Sequence, residues 1–417
     1  MKVYVIGGGP AGMMSAIVAR RQGYPVTLLE RNEKTGKKLF ITGKGRCNLT
    51  NASPVQNLIE NTVRNGKFMY GAFRSFDSEK CMRFFEELGV PLKVERGNRV
   101  FPVSDKSSDV IAALNKEMKK SGVDVRLNER VLSLTSADGK VVRIVTEKNE
   151  YSDVGYVVVA TGGITYPSTG STGDGYLFAN ALGHNVIDAV PSLCDIRLRT
   201  PQPSLQGVSL KNVACSIESG GKEICSEFGE MLFTDKGVGG PCVLSLSAKI
   251  CRMNVAGMVF CIDLKPALDE ETLNKRILRD FDEANNKNKA IKNVLTELMP
   301  KSLIPVVLSQ SGIQPEKSCN AISKEERRKL VSTVKKMTFP ILGCEKERAV
   351  ITAGGVNTVE ISPKTMRSKL IRNLAFAGEV LDVDAMTGGY NLQIAFATGY
   401  IAGSNVAIEN EKGENEQ

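Results

Sequence analysis

The chain opens on a motif that leaves little choice of fold. Lys2-Val3-Tyr4-Val5-Ile6 reads as a short apolar strand and runs straight into Gly7-Gly8-Gly9-Pro10-Ala11-Gly12. From Pro10 to Gln22, Ala11, Met14, Ala16 and Val18 recur at helical spacing; Gly23 closes that helix, and Val26 to Leu29 form a second apolar strand. The result is a compact βαβ start to a parallel sheet. In this context each glycine has a physical task. Gly7 permits the tight turn, Gly9 lets the backbone approach a pyrophosphate, and Gly12 lets helix and strand pack closely. The helix N-terminus offers unpaired N–H groups and a partial positive charge to phosphate. Glu30, 21 residues beyond Gly9, ends the second strand where a carboxylate can accept hydrogen bonds from ribose hydroxyls. An acid there disfavours a 2′-phosphate, so NADP is not expected in this site. These residues predict a dinucleotide and leave FAD and NAD both open.

At roughly 100–200 residues per domain, 417 residues suggest two or three domains, or one α/β domain carrying an insertion. Helices are predicted over Ser78–Leu88 and Ser108–Lys120, followed by strands between Val131 and Ala160, two of them joined by the hairpin signal Asp138-Gly139. From about Pro191 the texture changes. Residues 195–265 alternate in short runs, with a hairpin-like pair around Gly220-Gly221, and residues 269–338 read as helices. Glycine-rich α/β text returns from Ala349. The expected organisation is an α/β, Rossmann-like domain from residues 1–190 and 347–417, interrupted by a β-barrel-like domain (191–268) and a helical subdomain (269–346).

Composition narrows the chemistry. No run approaches the ~18 apolar residues of a membrane helix, and the N-terminus lacks the pattern of a signal peptide, so a cytoplasmic protein with no membrane partner is expected. The single histidine, His184, argues against a His-rich metal site and against a Ser-His-Asp or Cys-His catalyst; no metal is expected. The ten cysteines contain no Cys-x-x-Cys pair and read as buried thiols. A net charge of +9 favours anionic ligands, but Lys and Arg are spread along the chain rather than gathered in a stripe, which argues against a nucleic-acid partner. The acidic end, Glu409 to Gln417, reads as a solvated tail.

Longer motifs carry a resemblance. Gly43-Lys44-Gly45-Arg46-Cys47-Asn48-Leu49-Thr50-Asn51 resembles the signature of the YhiN/BaiN-type flavoproteins, also described as aminoacetone oxidase family FAD-binding enzymes. Ala160-Thr161-Gly162-Gly163, Thr169 to Tyr176, Thr352 to Val356 and Phe376 to Gln393 agree, so the likeness spans essentially the full length. Departures are Asp235, Gly239, Arg367 and Ala385, the first two within the insertion. The resemblance implies a glutathione-reductase-like FAD domain split by an inserted barrel and helices. It implies that Gly7, Gly9, Pro10, Ala11 and Gly12 hold the FAD pyrophosphate and Glu30 the ribose, with Lys38 adding charge nearby. It further places the backbone of Val131 at the adenine edge, and Thr161 and Gly162 beside the adenine half. Arg46, Cys47 and Asn48 fall along the flavin and ribityl chain, and Gly378, Glu379 and Asp382 at the ribityl and phosphates. Gly389, Tyr390, Asn391 and Leu392 open a helix toward the pyrimidine edge of the ring.

Blander readings stand beside these. Cys47 has no cysteine a few residues away and reads as a packed thiol rather than half of a relay; Tyr166 and Tyr390 can be proton donors or packed rings; His184 and Asp174 suit a helix end and a turn. No second dinucleotide fingerprint follows, so NADH or NADPH would be a transient donor at the flavin rather than a resident of its own domain. The expected function is an FAD-dependent oxidoreductase passing hydride to or from a small organic substrate. The alternatives are a flavin-dependent RNA-modifying protein and a non-catalytic redox sensor. The residues name neither a catalytic acid nor an oligomeric state.

Overall fold

A computed structural model describes residues 2–283 and 285–406; the acidic tail from Glu409 lies outside the described residues. The chain divides into two compact units, Met1–Pro191 with Ala349–Gln417, and Ser192–Arg348.

The first unit is built on a five-stranded parallel sheet. Its order is Leu374–Phe376, Val154–Val159, Lys2–Ile6, Val26–Leu29 and Asp124–Arg126. The four residues Val26–Leu29 and all six of Val154–Val159 are buried, as expected of parallel strands covered on both faces. The first helix, Pro10–Arg21, packs against the last, Tyr390–Ser404. Small residues allow that approach: a Cβ on Gly399 would sit 2.4 Å from the Ala11 carbonyl oxygen, and one on Gly403 2.5 Å from that of Ser15. The Ser15 hydroxyl donates to the Ala11 and Gly399 carbonyls at 2.8 and 3.0 Å, so the contact is hydrogen-bonded as well as close. The predicted helices at 78 and 108 are Ser78–Glu87 and Ser107–Ser121, and the Asp138-Gly139 hairpin joins Val131–Ala137 to Lys140–Thr146.

The second unit is a closed six-stranded barrel. Its strands follow the order Ile196–Leu198, Gly237–Gly239, Lys222–Phe233, Ser209–Ser219, Met258–Asp263 and Met337–Cys344. Two elements differ from the sequence reading. Pro241–Ile250, within a stretch that reads as strands, is a helix with seven of its ten residues buried. Met337–Cys344, assigned to the helical stretch 269–346, is the barrel's closing strand, with Met337, Phe339 and Ile341 pointing inward at period two. The helices Glu270–Asp282 and Lys324–Lys335 share the barrel's core through Leu273, Ile277, Phe281, Leu330, Val331 and Val334, so barrel and helices form one unit rather than two. Both begin at side-chain caps, Asp269 accepting from Thr272 N and Ser323 in a reciprocal capping box with Glu326.

His184 lies just beyond the helix Asp174–Ala181, 3% exposed, with Nε2 2.7 Å from Ser368 Oγ and its ring edge-on to Phe376. Burial lowers its pKa below the usual imidazole value. The unfolded chain therefore binds this proton more readily than the folded one. The stability the neutral ring contributes is present above the unfolded value of about 6.5 and lost as pH falls below it. Urea midpoints between pH 7.5 and 5.5 should fall further for the native chain than for His184→Gln, and an equal fall in both would refute this.

Candidate functional site

The carboxyl end of the central strand Lys2–Ile6 carries the glycine loop. Gly7 is left-handed (φ +106°), and a Cβ there would lie 2.5 Å from the carbonyl oxygen of Ala160, just beyond the neighbouring strand. A Cβ on Gly12 would lie 1.9 Å from the Gly7 carbonyl oxygen, so helix and loop touch backbone to backbone. Gly9 is the contrast. It has extended backbone at the helix N-cap, no side chain caps the helix, and a Cβ there would meet nothing within 4 Å. The open space at that position, facing uncapped helix amides, is a cradle of the kind a pyrophosphate fills.

Glu30 directly follows the second strand and is buried. Its Oε2 accepts from Gly8 N at 2.7 Å, and its Oε1 accepts from Asn32 N at 2.8 Å and Asn32 Nδ2 at 2.6 Å. A carboxylate has about four acceptor positions, so Oε2 keeps one for a hydroxyl. Nearby, Asp174 is held by Arg31 at 3.2 Å and Arg130 at 3.0 Å, and these two guanidiniums keep its carboxyl below the usual range despite burial. Asp174 therefore does more than shape a turn. Val131 opens its strand opposite Thr146, with its side chain buried.

The late motif is pressed onto the early one. Gly378 (φ +79°) brings its Cα against Ala11, where a Cβ would come within 2.8 Å of the Ala11 methyl, and Gly378 N donates to Thr398 Oγ1 at 2.8 Å. Lys38 Nζ and Glu379 form a bidentate pair at 2.8 and 2.9 Å. Glu379 Oε1 also accepts from Thr352 N at 2.8 Å, and Lys38 donates to Thr165 Oγ1 at 2.8 Å. This pair ties together the helix Lys37–Ile41, the Thr165 loop and the strand Ile351–Val356; its charges face each other.

At the far end, Gly388 and Gly389 are both left-handed (φ +123° and +98°) and lead into Tyr390–Ser404. A Cβ on Gly389 would lie 2.3 Å from the Thr50 carbonyl oxygen. With its amide oriented as the surrounding donors and acceptors require, the Asn48 side chain bridges the two segments, accepting from Gly389 N at 3.0 Å and donating to Thr50 O at 3.2 Å. Asn391 turns back to the preceding loop, donating to Ala385 O at 2.8 Å and accepting from Ala385 N at 3.0 Å. Tyr390 is buried and its hydroxyl donates to Asn57 Oδ1 at 3.1 Å, the packed-ring reading; Leu392 is half-buried. Tyr166, left-handed and 38% exposed, is the freer ring. Arg46 points at Glu95 and Asp105 and lies 4.1 Å from the centroid of Phe101.

Two buried polar atoms in these segments lack a protein hydrogen-bond partner, Thr161 Oγ1 and Asp382 Oδ1. The second carboxylate oxygen of Asp382 is held by Asn65 Nδ2 at 3.1 Å, which leaves Oδ1 directed elsewhere. Orphaned acceptors of this kind fit a hydroxyl-rich ligand. Sequence reasoning missed Asn65, whose role rests on a contact spanning more than three hundred residues that no local pattern announces. Gln393, buried at 0%, likewise acquires its task only in the fold: it meets Thr50 Oγ1 at 2.6 Å and donates to Phe76 O at 2.7 Å.

Cys47 is left-handed (φ +62°) and fully buried, and burial pushes its thiol up to about 12. Its buried neighbour Cys81 is raised as well. At neutral pH neither is a thiolate to any useful extent, so neither is a nucleophile. Native protein treated with iodoacetamide at pH 8 should keep Cys47 unmodified; rapid alkylation there would return a redox role to it.

These features define a class, a Rossmann-type dinucleotide-binding protein whose sheet is completed from both ends of the chain and whose sequence is interrupted by an inserted barrel. Residues 1–405 match the family described as HI0933-like protein Rossmann domain. The chain is 31% identical to the 3-dehydro-bile acid delta(4,6)-reductase of Clostridium scindens, over 97% of this chain and 99% of that protein. It is 30% identical to the ribosomal RNA dihydrouridine synthase of Escherichia coli K12, over 95% of each. Among solved structures, a flavocytochrome c3 fumarate reductase (TM-score 0.51, 19% identity) aligns over 97% of this chain and 77% of its own. The 3-ketosteroid-delta4-(5alpha)-dehydrogenase of Rhodococcus jostii (TM-score 0.51, 17% identity) aligns over 97% and 96%; both likenesses speak to the fold. The chain belongs to the HI0933-like Rossmann family of flavoproteins and is an oxidoreductase. No helix among the described residues is long and apolar enough to cross a membrane. With a ribosomal RNA enzyme among the relatives, the even spread of Lys and Arg no longer argues against a nucleic-acid partner.

Proposed function

We propose that this protein is an FAD-dependent reductase of carbon–carbon double bonds conjugated to a carbonyl. The observation that carries the cofactor reading is the pairing of an open Gly9 cradle with two orphaned buried acceptors, Thr161 Oγ1 and Asp382 Oδ1. The substrate class rests on the names of two relatives, a 3-dehydro-bile acid delta(4,6)-reductase and a ribosomal RNA dihydrouridine synthase: reduction of a carbon–carbon double bond conjugated to a carbonyl is the chemistry that the two names share. FAD, when bound, supplies the two-electron chemistry, and the protein supplies orientation and electrostatics.

In this reading the amides that open the helix Pro10–Arg21 hold the pyrophosphate, and the free position on Glu30 Oε2 accepts from a ribose hydroxyl. Asp382 Oδ1 and Thr161 Oγ1 meet further hydroxyls. Lys38 and Glu379, being mutually paired, act by holding Thr165 and Thr352 in place rather than by touching the ligand. Gly389, clamped by Asn48, aims the amides of Tyr390, Asn391 and Leu392 at the pyrimidine edge, where the helix N-terminus stabilises negative charge. A second reading, uridine in ribosomal RNA as the substrate, is favoured by the name of the Escherichia coli relative.

The test is an anaerobic titration of the purified protein with NADH and with NADPH, followed by an α,β-unsaturated ketone or by uridine-containing RNA. The expected result is a flavin band that one nicotinamide bleaches and the unsaturated ketone restores. Restoration by RNA alone would select the second reading. A protein that takes up no FAD would overturn both.

A further inference from the structure

Eight of the ten cysteines lie in Ser192–Arg348, and two pairs of them touch. Cys215 and Cys242 share a thiol hydrogen bond but are 0% and 4% exposed. Cys194 and Cys344 share another, and Cys344 is partly exposed. The position of this second pair is unusual. Cys194 is the third residue of the unit and Cys344 lies four residues before its end. Ile196–Leu198 and Met337–Cys344 are adjacent antiparallel barrel strands, with Ile196 opposite Cys344 and Glu345 N donating to Asp195 O at 2.8 Å. Side chains alternate along a strand, so Cys194, two residues before Ile196, falls on the same face as Cys344. The chain reaches Cys194 through Leu193 in the left-handed region, and the Cys194 amide donates to Ser247 Oγ at 2.9 Å.

We propose that Cys194 and Cys344 are a redox-active dithiol that a hydroperoxide converts to a disulfide, joining covalently the strands at which the chain begins and ends the barrel. The hydrogen bond from Cys344 draws the Cys194 thiol below its ordinary value, while the same bond and burial raise Cys344, so the first proton leaves from Cys194 and Cys344 stays the donor; Lys346 eases ionisation of Cys344, and Asp195 and Glu345 oppose that of Cys194. Cys344 is the sulfur that solvent reaches, and as it meets the peroxide its proton passes to the Cys194 thiolate along the S–H···S bond, which makes Cys344 the attacking thiolate. That thiolate attacks the peroxide, the O–O bond breaks, and an alkoxide or hydroxide leaves to take a proton from water. The Cys194 sulfur then attacks the resulting sulfenic sulfur, the S–S bond forms, and water departs. Two thiols lose two electrons and the hydroperoxide becomes an alcohol, or water, plus water. Inside cells such bonds are characteristically transient and redox-sensing rather than structural.

The test uses the full-length protein, exposed to hydrogen peroxide, alkylated with N-ethylmaleimide after denaturation and mapped by mass spectrometry. The expected result is loss of two alkylatable thiols, a peptide linking Cys194 to Cys344, full reversal by dithiothreitol, and reduced Cys215 and Cys242. Cys344→Ser should lose no thiols under the same treatment; the mapping of the unsubstituted chain decides the matter if that variant does not fold. Ten thiols still alkylatable, a Cys251–Cys344 link, or Cys344 recovered as sulfonic acid would each overturn the proposal.

Discussion

Gly9→Asp is expected to abolish FAD binding while leaving the fold intact or slightly stabilised. Gly9 has an ordinary negative φ of −79°, and a Cβ there meets nothing within 4 Å, so the backbone accepts a side chain without strain. The position is a helix N-cap without a side-chain cap, and aspartate is among the preferred N-cap residues, a substitution for Gly being worth a few tenths of a kcal/mol. The new carboxylate would occupy the amides that the pyrophosphate needs and oppose its charge. Two like charges 4 Å apart at an effective dielectric near 20 repel by about 4 kcal/mol, close to a thousandfold in Kd. Thermal unfolding of the apoprotein and FAD titration of the same sample separate the two effects. Unchanged FAD affinity would place the pyrophosphate elsewhere.

Gly12→Ala should do the opposite, lowering stability and carrying FAD binding down with it. Helix propensity alone forecasts a gain of about 1 kcal/mol, since alanine is the better helix former. Sterics oppose it: the methyl would lie 1.9 Å from the Gly7 carbonyl oxygen and 3.1 Å from the Gly7 carbonyl carbon. Backbone cannot swing aside like a side chain, and since overpacking costs about 1–3 kcal/mol, occasionally more, a contact this short falls at the upper end and the clash wins. The urea midpoint of the apoprotein reads this directly. A higher midpoint would show that helix and loop are not in close contact. Together the two substitutions divide the fingerprint into a glycine that serves the ligand and one that serves the fold.

The division between local and long-range information runs through the whole molecule. The opening βαβ unit, the helices near 78 and 108 and the hairpin at Asp138-Gly139 were legible because periodicity and turn chemistry act within a dozen residues. The family likeness was legible because its motifs are contiguous. Pro241–Ile250 was not, since its apolar residues lie in a stretch that also reads as strand, and only packing against the barrel decides between the two. Met337–Cys344 was hidden for a related reason: it follows a helical stretch in sequence and closes the barrel against Ile196–Leu198, about 140 residues earlier.

The candidate site shows the same split. The sequence by itself determined the residues that meet the pyrophosphate and ribose in the proposed reading, because loop, helix and acid follow one another in order. Only the tertiary structure decided that Lys38 pairs with Glu379, that Asn48 holds Gly389, that Asn65 positions Asp382, and that Cys194 lies against Cys344. Those contacts join segments about 150 to 340 residues apart. Their partners are selected by shape and unsatisfied hydrogen bonds, which exist only once the sheet and barrel have closed.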